Sequence, residues 1–181
     1  MATGQREYPT QEALIEGCKK REPLAQRSLY DAYAPRMLTL CVRYAGDRER
    51  AKDMLHDGFI TIFNKIESFT GLGSFEGWMR RIFVNTALMS LRKADVLRKT
   101  GELEDARGEQ SLEPDALAKI SSKELMELIA SMPEGFRMVF NMYAIEGYSH
   151  QEIAQELNIS ESSSRSQLSR ARGWLQERIT R

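Results

Sequence analysis

The sequence predicts an all-α protein of two small helical domains joined by a flexible acidic linker, the C-terminal domain being a helix-turn-helix. Three observations carry this. Nowhere does a sustained period-two alternation run along the chain; the apolar residues recur instead at steps of three and four. Two such periodic blocks flank a polar, acidic stretch interrupted by Gly101, Gly108 and Pro114. The second block also carries helix caps in the order that a helix-turn-helix requires. The expected boundaries are 1–94 for the first domain, 95–118 for the linker and 119–181 for the second domain.

In the first block, Tyr30, Tyr33, Met37, Leu40 and Tyr44 step along one helical face. Pro35 interrupts that pattern, so a kink or a break is expected there. Leu55, Phe59, Ile62, Phe63 and Ile66 form a second stripe on a helix expected over 52–66, and Phe75, Trp78, Met79 and Ile82 begin a third that continues toward Leu91. Thr70-Gly71-Leu72-Gly73-Ser74 between them reads as a loop by its glycines. Past the linker, Leu125, Leu128, Ile129 and Met132 resume the spacing up to Pro133. Phe136, Val139, Phe140 and Tyr143 follow.

Tyr148 to Trp174 holds the most specific local signal. Ser149-His-Gln-Glu152 is a capping box, in which the serine hydroxyl accepts from the Glu152 amide while the carboxylate reaches back. The helix it opens is expected to bury Ile153, Ala154 and Leu157. Asn158 suits a left-handed turn position, Ile159 is expected to plug the core, and Ser160 can cap a new helix. On that helix Leu168, Ala171 and Leu175 face the core, and the other face presents Ser162, Arg165, Ser166, Ser169 and Arg170. Arginine suits guanine edges and phosphates, and serine serves either at close range. The plainer alternative is a small helical hairpin with a solvated arginine face.

The chain has 181 residues with 26 Lys+Arg against 26 Asp+Glu. Zero net charge would argue against a polyanion partner if charge were evenly spread, and it is not. Glu102, Glu104, Asp105, Glu109, Glu113 and Asp115 crowd the middle, while Arg165, Arg170, Arg172, Arg178 and Arg181 crowd the end. The acidic segment masks basic ones, and local charge decides polyanion binding. Cys18, Cys41, His56 and His150 are too scattered for a metal cage or a disulfide framework, so no metal or cofactor is expected. No apolar run approaches the roughly 18–20 residues of a membrane span, and the opening residues lack the pattern of a secretory signal. The expected compartment is the cytoplasm.

Two surfaces in the first block stay open by composition alone. Asp53, His56 and Asp57 share the polar face of their helix, with three readings: an ordinary solvated face, a general acid/base pair, or a docking surface for a basic partner. Arg81, Asn85 and Arg92 form a polar stripe beside aromatic residues and a glycine loop, the materials of single-strand nucleic-acid binding, although Phe75 and Trp78 suit a core equally well.

Together these segments resemble the extracytoplasmic-function (ECF) sigma factors of bacterial RNA polymerase, from roughly Leu24 to Lys93 and from about Leu125 to Leu175. Ala51-Lys-Asp-Met-Leu-His-Asp-Gly-Phe-Ile-Thr-Ile-Phe looks like the family's core-polymerase-binding helix, with His56 where glutamine is common and Asp57 where glutamate is common. Phe75-Glu-Gly-Trp-Met-Arg-Arg-Ile-Phe-Val-Asn, ending in Leu91-Arg-Lys, looks like its promoter-melting helix. Ser131-Met-Pro-Glu-Gly-Phe-Arg-Met-Val-Phe and Glu146-Gly-Tyr-Ser-His-Gln-Glu-Ile-Ala look like the start of the upstream-element domain, and Ser160 to Arg172 is similar to its recognition helix.

The resemblance implies core RNA polymerase and promoter DNA as partners, allows an anti-sigma factor, and implies no enzyme activity. Asp53, His56, Asp57 and Ile60 would bind core polymerase. Gly71, Gly73, Ser74, Trp78, Arg81, Asn85 and Arg92 would hold the melted minus-ten element. Ser162, Arg165, Ser166, Ser169 and Arg170 would read the minus-thirty-five element as duplex. Two departures bear on promoter choice. Ser163-Ser164 stand where threonine-valine is common, which brings a hydroxyl to the core that either back-bonds to its helix or loosens the seat. Gln167 replaces a frequent basic residue. The rival readings are a stand-alone helix-turn-helix regulator and an enzyme using Asp53, Asp57 and His56.

Overall fold

The computed structural model describes residues 8–93 and 121–179. The expected linker, 95–118, with its acidic run, lies outside the described residues. Eight α-helices are formed among them: α1 (Gln11–Lys19), α2 (Pro23–Ala45), α3 (Arg48–Lys65), α4 (Phe75–Lys93), α5 (Ser122–Ser131), α6 (Glu134–Phe140), α7 (His150–Leu157) and α8 (Glu161–Ile179). A 3-10 turn, Ile66–Ser68, extends α3, and a π-helical segment, Asn141–Ile145, extends α6. No strand occurs among the described residues. Contacts divide the chain into two compact units: residues up to Cys41 with Glu49–Ala87, and Val42–Arg48 with those from Leu88 onward.

In the first unit the periodic stripes supply most of the core, although Tyr30 is exposed and Tyr33, Phe63 and Trp78 are half-buried. Ala51, Met54, Leu55, Gly58, Phe59 and Ile62 are the buried side of α3. Phe59 links three helices: its ring meets Tyr30 of α2 at 4.6 Å and Phe83 of α4 at 5.4 Å. Tyr33 reaches Phe75 edge-on at 6.0 Å.

α2 runs unbroken from Pro23 to Ala45, with Pro35 inside it. The expected break does not occur. An internal proline costs about 3 kcal/mol, but Leu29 precedes it and Met37 and Leu40 follow it, all at most 1 % exposed. Each buried side chain of that size contributes about 1.5–3 kcal/mol, and all require one helical register. The proline itself is exposed, and the Thr39 hydroxyl donates to its carbonyl.

α1 was not anticipated. Thr10 caps it by accepting from the Ala13 amide, and Ile15, Gly17 and Cys18 are buried. Gly17 is required there, since a Cβ would lie 2.7 Å from the Tyr8 ring and 2.8 Å from the Ala25 methyl. Burial, with the Glu22 charge adding to it, pushes the Cys18 thiol up to about 11. That thiol stays protonated and unreactive at neutral pH.

In the second unit, a Ser121–Glu124 capping box opens α5. Arg137 of α6 is buried, and its guanidinium donates to the carbonyls of Ala130 (3.0 Å), Met132 (2.8 Å), Tyr44 (3.1 Å) and Ala45 (3.1 Å). Carbonyls at helix ends lack intrahelical donors, and a cation there also suits the helix dipole. The Asn141 side-chain amide donates a hydrogen bond to the Arg43 carbonyl, and Arg43 pairs with Glu146 at 3.1 Å.

Candidate functional site

On α3, Asp53, His56, Asp57 and Ile60 fall at i, i+3, i+4 and i+7 and all four are exposed. They form one solvent-facing stripe opposite the buried side of the helix. Ile60 is 47 % exposed although its neighbour Phe59 is buried. An apolar side chain thus lies in line with two carboxylates on an open helix face.

At the start of α4 the Gly71–Ser74 loop stands out into solvent. Gly71 and Gly73 both have φ +81, and a Cβ at either would meet nothing within 4 Å. The glycines are there for backbone conformation, not for space. They present Leu72, 86 % exposed, which the sequence reading did not single out although its place between two glycines is the signal. Ser74 caps α4: its hydroxyl accepts from the Gly77 amide at 3.2 Å and its carbonyl from the Trp78 amide at 3.0 Å. Trp78 is half-buried, stacked on Phe75 at 5.6 Å and beside Phe69 at 5.5 Å. Phe75 is core and Trp78 its partly open neighbour. Arg81 and Asn85, one and two turns on, are exposed. Arg92 belongs to α4 by its backbone, but its side chain lies outside the described residues.

The helix-turn-helix forms as its caps require. The Ser149 hydroxyl accepts from the Glu152 amide at 3.2 Å, and the Glu152 carboxylate accepts from the Ser149 amide at 2.8 Å. Asn158 takes the left-handed conformation, φ 55 and ψ 46, that ends α7. Ser160 opens α8 by accepting from the Ser163 amide at 3.0 Å. Ile153, Leu157, Leu168, Ala171 and Leu175 are buried, while Ala154 and Ile159 are half-buried. Ser162, Arg165 and Ser166 are exposed; Ser169 and Arg170 lie half-buried along the flank of the same face. Arg165 pairs with Glu161 at 2.9 Å across an open surface, a contact worth a few tenths of a kcal/mol that another anion can displace.

Ser164 is fully buried, and it neither loosens its seat nor goes unpartnered. Its hydroxyl lies 2.8 Å from Nδ1 of His150, the first residue of α7. The imidazole stacks on Tyr143 at 4.5 Å and 21°, and the Arg172 guanidinium sits 6.0 Å from the Tyr143 ring centre. Burial holds the His150 pKa below the ordinary 6.5, with Arg165 and Arg172 acting the same way and Glu161 partly offsetting them. The sequence reading missed His150, Tyr143 and Arg172 in this role. The signal available was a hydroxyl at a core position, which demands a partner.

Residues 29–96 match the family model described as Sigma-70 region 2, and residues 122–175 match that described as Sigma-70, region 4. The ECF RNA polymerase sigma-E factor of Haemophilus influenzae is 27% identical over 184 residues, covering 96% of this chain and 97% of that protein. The protein of the same name from Escherichia coli K12 is also 27% identical, covering 96% of both. Among solved structures, the sigma factor RpoE from Bartonella quintana, in complex with the anti-sigma factor NepR, is similar in fold. It has a TM-score of 0.52 and 17% identity, over 85% of this chain and 96% of that one.

Proposed function

We propose that this chain, which belongs to the ECF class of sigma-70 factors and confers promoter choice on RNA polymerase, divides that work between an N-terminal domain of residues 1–94 and a C-terminal domain of residues 119–181. The α3 stripe of Asp53, His56, Asp57 and Ile60 docks on a basic surface of core polymerase. The Gly71–Ser74 loop, with Trp78, Arg81, Asn85 and Arg92, holds the melted non-template strand of the minus-ten element. Unstacking a base costs a few kcal/mol, and pocket contacts, stacking and phosphate pairing offset it. α8 enters the major groove of the minus-thirty-five element, with Ser162, Arg165, Ser166, Ser169 and Arg170 toward bases and phosphates.

The protein performs no chemistry itself, works in the cytoplasm, and takes core polymerase and promoter DNA as partners. An anti-sigma factor is a further partner that family membership allows. The observation that carries this reading is the exposed α3 stripe on the same chain as a correctly capped helix-turn-helix, because a stand-alone regulator has no use for the former.

Titrating core polymerase with the Asp53→Ala/Asp57→Ala variant tests it. Affinity is expected to fall at least about tenfold, as the loss of two charged contacts implies, with the fold retained. Unchanged polymerase affinity would remove the docking assignment.

A further inference from the structure

α8 packs on α6 and α7 through apolar contacts of its buried side, where Leu168, Ala171 and Leu175 are each at most 4 % exposed. Such contacts are non-directional, so they tolerate a small rotation of α8 about its axis. Base reading does not tolerate it, because a hydrogen bond to a base edge weakens steeply with angle. The Ser164–His150 bond is directional and buried at its serine end. It joins the second turn of α8 to the first residue of α7, and Tyr143 backs the imidazole from the π-helical segment. Arg172, two turns further along α8, lies against the same tyrosine ring. The contact thus grips α8 at two heights. Arg165 and Ser166 are the residues next to Ser164 on the outward side.

We propose that His150 and Ser164 are positioning residues for promoter reading: their bond sets the rotation of α8 so that Arg165, Ser166 and Ser169 meet the minus-thirty-five bases in register. This rests on the assignment of α8 to the minus-thirty-five element. Neither residue needs to touch DNA, and their effect falls on selectivity more than on affinity. Deleting the serine hydroxyl leaves the apolar seat intact and lets the helix rotate.

The test is transcription by core polymerase with the full-length chain on promoters randomised at the minus-thirty-five positions. Ser164→Ala is expected to flatten base preference there by about fivefold, the scale of one net hydrogen bond, while polymerase affinity stays close to wild type and the thermal unfolding midpoint falls by only about 4–8 °C. His150→Asn, whose amide places a bonding atom near that of Nδ1, is expected to keep the preference, and His150→Leu to lose it. If His150→Leu does not fold, Ser164→Ala decides alone. Equal loss on every promoter sequence, or preference unchanged in Ser164→Ala, overturns the proposal. A wild-type chain with no preference at those positions overturns the parent assignment, and the proposal with it.

Discussion

Gly58 of α3 lies flat against the ring of Phe83 of α4, leaving no room for a Cβ. The two helices approach this closely on the side of α3 opposite Asp53, His56, Asp57 and Ile60, so the glycine sets how that stripe is held. Gly58→Ala is favoured by about 1 kcal/mol on helix propensity, yet overpacking costs about 1–3 kcal/mol. The severity of this clash puts it at the upper end. A net loss of about 1–2 kcal/mol is expected from urea unfolding, with part recovered when Phe83→Leu is added. A stabilised Gly58→Ala protein would show that the helices are not packed as described.

Removing the hydroxyl of Ser149 deletes one half of the box that opens α7 and leaves the Glu152 amide without its cap. Ser149→Ala is expected to destabilise the C-terminal unit by about 1 kcal/mol. A denaturation midpoint equal to wild type would mean that the cap contributes nothing net.

Gly71 and Gly73 differ from Gly77 in a way that stability measurements resolve. At the first two, φ +81 strains any L side chain although space is open, and Gly71→Ala or Gly73→Ala should cost about 1 kcal/mol and weaken binding of a single-stranded minus-ten oligonucleotide. Gly77 sits in the first turn of α4, where a Cβ would make only ordinary contact with Ser74 at 3.7 Å. There alanine is expected to stabilise by about 0.5–1 kcal/mol. Similar effects at all three positions would contradict the loop conformation.

Acid sensitivity follows from His150. Its folded-state pKa is lowered from 6.5, first by burial and then by Arg165 and Arg172. As pH falls, the unfolded chain therefore takes up the proton before the folded one. The stability that this group contributes is complete above about pH 6.5 and is lost as pH falls through the unfolded and then the folded value. His150→Asn is expected to flatten the pH dependence of unfolding in that range. A wild-type slope identical to that of the variant would rule the histidine out as its source.

Much of this architecture is legible in the sequence because it depends on short-range chemistry. The capping box at Ser149, the left-handed Asn158 and the second cap at Ser160 act over three or four residues, and all three form. The solvent-facing Asp53, His56 and Asp57 follow from helical spacing against an apolar stripe, whereas Ile60 is named only through the family resemblance. What escaped depends on partners distant in sequence. Pro35 stays within α2 because Leu29 and Met37 are buried on either side of it. α1 is short, and its apolar face of Ile15 and Cys18 is too small to show as a period; only Thr10 and Glu12 mark its start. His150 and Ser164 are fourteen residues apart, and nothing local says that an imidazole at one helix start answers a hydroxyl in the next helix.

Run-off transcription with purified core RNA polymerase, with and without this protein, on a promoter library tests the central claim most directly. Discrete new transcripts are expected, and aligning their starts should return two shared elements. An unchanged transcript pattern, together with no binding to core polymerase, would contradict the account.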